Sequence, residues 1–143
     1  RLFNEIREKR GLAYDIGSGV LHLDDIGSIQ VFAGLHKNKY EEAIDVIVSE
    51  LDRCKYDVPE SELDKVKSLV SGRLKLRLED TRFISGWNLS QELSSSEIRS
   101  PDEVLRDIQA VTVSDVTKVA RKYMRHDRMN VSIVGPIREP SVI

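Results

Sequence analysis

Arg7 and Tyr14 stand seven residues apart in the string "REKRGLAY", with a single glycine, Gly11, between them. Arginine offers a planar fork of N–H donors for a carbonyl or carboxylate, and tyrosine adds a neutral hydroxyl donor. Brought to one spot, such a pair can hold a peptide carbonyl and stabilise the oxyanion that develops when water attacks it. The surrounding elements favour that approach. Leu2, Phe3 and Ile6 fall at helical spacing, so residues 1–10 read as the end of a helix. Lys9 and Arg10 suit its negative C-terminal end, and Gly11 suits a left-handed cap. A helix that stops at Gly11 and reverses into a strand carries Arg7 in its last turn and Tyr14 near the strand's start. On residue types alone a plainer reading stays open, because surface arginines and half-buried core tyrosines are both common.

Other chemistries find less support. The three histidines, His22, His36 and His126, each lack a second histidine four residues on, so no helical H-x-x-E-H zinc motif is present. A hairpin centred near residue 25 sets His22 and His36 at opposite ends, which argues against a shared ion; no metal is expected in this chain. Ser94, Ser95 and Ser96 fall in a polar loop, "SSSEIRS", without a neighbouring histidine, and no G-x-S-x-G elbow appears. Gly17 and Gly19 lack the third glycine and the Lys-Ser/Thr of a phosphate loop. The basic run "RKYMRHDR" reads as a solvated helix end, with His126 placed where a cation suits the helix dipole. Cys54, the only cysteine, excludes an internal disulfide, fits a reducing compartment and reads as a small packing residue.

Along the chain, "LAYDIGSGVLHL" and "IGSIQVFAGL" form two strand-like runs around Asp24 and Asp25. Alternation of Ile29, Val31, Ala33 and Leu35 buries one face, while Gly17 and Gly19 loosen the first strand or mark a close approach. Tyr40, Ile44, Ile47 and Leu51 stripe an amphipathic helix. A second helix starts near Pro59 and runs through Leu63 to Leu78 with a weak point at Gly72; a third holds Phe83, Trp87 and Leu93. Ser100, Pro101 and Glu103 form a capping box, and Thr112 with Asp115 repeats the idea. "RMNVSIVGP" reads as a closing strand stopped by Gly135 and Pro136. The expected fold is α+β, with helices packed on one face of a mainly antiparallel sheet. Residues 1–143 form one domain. Three strands are few for so many helices, and the first helix starts without a cap, so an incomplete domain lacking upstream strands is expected; a small three-stranded fold is the alternative.

Composition bounds the function. With 40% apolar and 32% charged residues the chain reads as globular, and no apolar run approaches the length of a membrane span. A formal charge of -2 gives no case for nucleic acid.

The string "RLFNEIREKRGLAY" resembles the C-terminal-half signature of the pitrilysin and insulysin family of zinc metallopeptidases, which includes the mitochondrial processing peptidase. The similarity continues through "VFAGLHKNKYEEAIDVI", "PESELDKVKSLVSGRLKLRLED" and "SPDEVLRDIQAVTVSDVTKVARKYM" to "NVSIVGP". The resemblance implies half of a clamshell that closes around an unfolded peptide. One half of such a protein bears an inverted zinc motif; the other supplies an arginine and a tyrosine that bind substrate, which Arg7 and Tyr14 match in type and spacing. Tyr14 is then the residue that donates to the oxyanion, and Arg7 fixes the neighbouring peptide backbone. No zinc ligand or catalytic glutamate maps onto this chain, so zinc is expected in a complementary domain or subunit, and the chain alone is expected to be inactive. An exposed sheet edge offers a route to self-association. The alternative within the same family is a non-catalytic scaffold or substrate-recognition subunit, and outside it a plain interaction module.

Overall fold

A computed structural model describes residues 1–23, 25–94 and 98–136. The chain divides into two compact units, Arg1–Tyr56 with Lys118–Ile143, and Asp57–Thr117. The fold is α+β, as the element order implies.

The first unit opens with a helical segment, Phe3–Lys9, that winds as a π-helix rather than an α-helix. It ends at Gly11, whose φ of 58° is the left-handed conformation a side chain resists. Two strands follow, β1 (Ala13–His22) and β2 (Gly27–Leu35), paired antiparallel with His22 opposite Gly27 and Ala13 opposite Leu35. Helix α1 (Tyr40–Arg53) covers one face of this hairpin. Ile6, Leu12, Ala13, Ile16 and Ala43 form the core, with Val31, Ala33, Val46 and Ile47 packed against it. Ile6 and Leu12 are fully or almost fully buried, and each contributes about 1.5–3 kcal/mol by leaving water. On the opposite face of the hairpin the Phe32 ring lies across Gly17, where an added Cβ would sit 2.5 Å from a ring carbon. The close approach expected at Gly17 is therefore made by an aromatic ring.

The second unit holds α2 (Glu60–Arg77), α3 (Thr81–Ser94) and α4 (Pro101–Ala110); α5 (Val113–Tyr123) runs across the division between Thr117 and Lys118. Pro59 is the N-cap of α2 rather than a residue of its first turn, and Gly72 does not interrupt the helix. Ser100 and Glu103 close α4 with a reciprocal capping box, with Pro101 at the first position. Lys67 Nζ donates to the Gln109 carbonyl at 2.9 Å and Gln109 donates to Ser71 Oγ at 3.0 Å, tying α2 to α4. Phe83 and Trp87 pack as tilted rings 5.8 Å apart. No helix here is long and apolar enough to cross a membrane among the described residues.

One expectation fails. "RMNVSIVGP" is not a strand: after a single 3-10 turn at His126–Arg128, residues 129–134 form no ladder with another described segment. A strand needs a hydrogen-bonding neighbour, and the two-stranded sheet ends at β2. Asp24 in the hairpin turn, and Ser95, Ser96 and Glu97 of the polar loop, lie outside the described residues.

Candidate functional site

Arg7 and Tyr14 sit on two irregular pieces of backbone, one on each side of Gly11. In the π-helix the turn is wider, with i→i+5 hydrogen bonds, a form rare in proteins and frequent at functional sites. Its end is closed by the Gly11 N–H donating to the Arg7 carbonyl at 3.1 Å and the Leu12 N–H donating to the Ile6 carbonyl at 2.8 Å. The Arg7 guanidinium lies 4.9 Å from the centre of the Phe3 ring, a cation–π contact, and its Nε is 3.9 Å from Glu8.

Tyr14 occupies a β-bulge. Ala13 pairs with Leu35 and Asp15 with Gly34, so β1 carries one extra residue against β2 at this point. The bulge has a packing cause. Ala13 and Ile16 are both buried, yet three residues apart they fall on opposite faces of a regular strand. One inserted residue restores the phase, and Tyr14 and Asp15 are both turned outward. Tyr14 is 87% exposed, so it is no core tyrosine. Its hydroxyl makes no hydrogen bond to another described residue, and no bond joins it to Arg7. Both groups are thus reached by solvent, Arg7 in part and Tyr14 almost fully. Sequence reasoning placed both residues but missed the bulge. The signal was present in the spacing of Ala13 and Ile16.

A second polar cluster lies elsewhere in the same unit. His126 Nε2 approaches both carboxylate oxygens of Asp52, at 3.1 and 2.9 Å, and Lys55 also pairs with Asp52. The Lys55 hydrogen bond holds the Asp52 carboxyl below the usual carboxylate range; desolvation opposes it and His126 adds to it. Arg121 Nε donates to the Lys55 carbonyl at 2.9 Å, and Arg125 pairs with Asp127. The basic run is therefore partly engaged in structure. Cys54 donates to the Glu50 carbonyl at 3.4 Å at the end of α1. Glu50 itself is buried with one oxygen on Arg53, and its Oε2 meets no partner.

No three His, Cys, Asp or Glu side chains converge among the described residues. His22 sits at the turn end of the hairpin, His36 just past its far end, and His126 is engaged with Asp52.

Residues 1–70 match the family profile described as "Peptidase M16 inactive domain". Over those residues the chain is similar to the inactive domain of the peptidase M16 family. An uncharacterized zinc protease of Streptomyces coelicolor is 33% identical over 97% of this chain and 30% of its own length. A protease from Helicobacter pylori, whose crystal structure is known, superposes on 87% of this chain and 30% of its own with a TM-score of 0.75 and 26% identity. A chain of complex III2 from Candida albicans shares the fold alone, with a TM-score of 0.76 at 18% identity over 85% of this chain and 29% of its own. This chain thus spans about 30% of the curated relative's length. The stretch matched as M16 contains the π-helix, the whole hairpin and α1, and so both Arg7 and Tyr14.

Proposed function

We propose that residues 1–143 are a single domain from the C-terminal half of a zinc-dependent metalloendopeptidase, and that Arg7 and Tyr14 bind its peptide substrate. The observation that supports this most is the bulge that turns Tyr14 out of the core beside the helix end bearing Arg7. Zinc belongs to a complementary domain or subunit that closes on this one as a clamshell. What this chain contributes is binding and charge stabilisation. The Tyr14 hydroxyl donates to the carbonyl oxygen of the scissile peptide as negative charge develops on it. The Arg7 guanidinium, steadied on the Phe3 ring, donates to a neighbouring backbone carbonyl and fixes the register of an extended substrate. An unfolded peptide suits such a site, because its backbone carbonyls are free to be bound. Separated from its zinc-bearing partner the chain is inactive, and its open sheet edges give isolated copies a route to associate.

The test is zinc-dependent cleavage of a long unstructured peptide by the complete assembly, with Tyr14→Phe beside the unchanged protein. Loss of one oxyanion donor lowers kcat by about a hundredfold or more, roughly 3 kcal/mol. Equal rates in folded proteins overturn the assignment of Tyr14. Absence of cleavage by the unchanged assembly overturns the peptidase reading and favours a scaffold.

A further inference from the structure

Two glycines of the hairpin have no local reason to be glycine. Gly19 and Gly34 lie inside β1 and β2, and neither has a positive φ. A Cβ built on either one meets nothing within 4 Å. Glycine weakens a strand, because it loses more freedom on folding than other residues and offers no side chain to pack. Where the fold itself does not demand it, a strand glycine marks close approach by something outside the strand.

The register gathers these positions on one face. Asp15 pairs with Gly34, Gly17 with Phe32 and Gly19 with Gln30. By the two-residue alternation of strands all six share a face. It is the face opposite Ile16, Val31 and Ala33, which pack into the core. Phe32 is the one large apolar residue among the six. Its ring lies over Gly17 and remains 58% exposed, although a phenyl group gains by leaving water. Bare backbone flanks it at Gly34, two residues along its own strand, and diagonally at Gly19. Gly34 stands at the level of Asp15, one residue from Tyr14 in the bulge. An extended peptide rises at the same rate as a strand, so one held at Tyr14 and running along the hairpin passes the Phe32 ring within about three residues.

We propose that Gly34 and Phe32 form a notch that receives an apolar side chain of the peptide substrate, aromatic or large aliphatic, within about three residues of the cleaved bond. The inference rests on the reading of Tyr14 as a substrate-binding residue. Phe32 supplies the surface on which that side chain packs, and the missing side chains at Gly34 and Gly19 let it reach the sheet. Asp15, on the rim of the same face, disfavours an acidic side chain there.

The test uses the complete zinc-containing assembly and random-sequence unstructured peptides, with cleavage sites read by mass spectrometry. The expected result is enrichment of Phe, Tyr, Trp, Leu and Met, over Ala and Asp, at one position close to the cut. For two peptides that differ there as Phe and Ala, kcat/KM is expected to differ by about tenfold or more. Gly34→Val fills the notch and Phe32→Ala removes its wall, and each is expected to bring that ratio close to one. Gly34→Val should also leave the unfolding temperature unchanged or higher, because its Cβ has room. Tyr14→Phe should slow both peptides alike and keep the ratio, so the two readings fail separately. Cleavage without a preference, or a preference that survives either variant, overturns the notch while Tyr14 stands. A lower unfolding temperature in Gly34→Val with an unchanged ratio assigns the bare face to packing against other polypeptide and overturns the notch as well. Absence of cleavage by the unchanged assembly overturns both readings.

Discussion

The opening segment and the helices of the second unit differ in how their backbones are made regular. Within residues 3–15 the chain departs from ideal geometry three times, in a π-helix, a left-handed glycine and a bulge. Helices α2, α3 and α4 keep the α-helical form, and α4 begins on a cap made entirely by its own neighbours. The difference teaches where constraint comes from. A cap such as Ser100–Glu103 is satisfied within four residues and needs nothing else. The bulge at Tyr14 exists because Ala13 and Ile16 must both reach a core built with Ile6 and Ala43, which are distant in sequence. In this chain the irregular stretch is the one that carries Arg7 and the exposed Tyr14. The regular stretch is occupied with holding itself together.

That contrast can be broken at several points. The largest effect on stability is expected at Ile6, the fully buried residue of the opening helix. Ile6→Ala should cost about 2–5 kcal/mol in denaturant unfolding of the full-length protein. A loss under 1 kcal/mol would mean that the π-helix is not anchored by this side chain.

Gly11→Ala comes next. A Cβ there meets nothing within 4 Å, so any penalty is purely that of the backbone at φ 58°. It should amount to about 1–2 kcal/mol. If the turn positions Arg7 and Tyr14, the same variant should raise KM for a peptide substrate. An unchanged KM would separate the turn from the site.

The smallest effect belongs to the regular region. The Ser100 hydroxyl, and then the Ser100 backbone N–H, donate to the Glu103 carboxylate and hold it below the ordinary glutamate value against a desolvation that raises it. Because the folded value is depressed, the contribution of this cap is complete above the unfolded glutamate pKa. It is lost as pH falls through the lower folded value. A carboxyl titration by NMR should show Glu103 titrating below the ordinary range, and Ser100→Ala should move it back up. An ordinary midpoint in the unchanged protein would mean that the box does not persist in solution.

What was legible in the sequence follows the same division. The capping boxes at Ser100 and Thr112, the stripe of α1 and a hairpin centred near residue 25 are local patterns, and each was readable. The α+β class followed from their order. The bulge and the π-helix were not read, because each is a phase correction imposed by a core assembled from distant residues. His126 was placed by the helix dipole, whereas its partner is Asp52, 74 residues away, which no local pattern reveals. The closing strand was misread for the opposite reason. Its local pattern is that of a strand, but a ladder is not a local property. Arg7 and Tyr14 were named from their types and spacing together with a family resemblance; the outward turn of Tyr14 came only from the register of β1 on β2.

The most direct measurement is the steady-state rate of the complete zinc-containing assembly on a long unstructured peptide, for the unchanged protein and for Tyr14→Phe, with folding of both verified by circular dichroism. The account predicts a fall in kcat of about a hundredfold or more with a near-unchanged unfolding midpoint. Equal kcat in two folded proteins would contradict it, and would leave the bulge at Tyr14 a matter of packing alone.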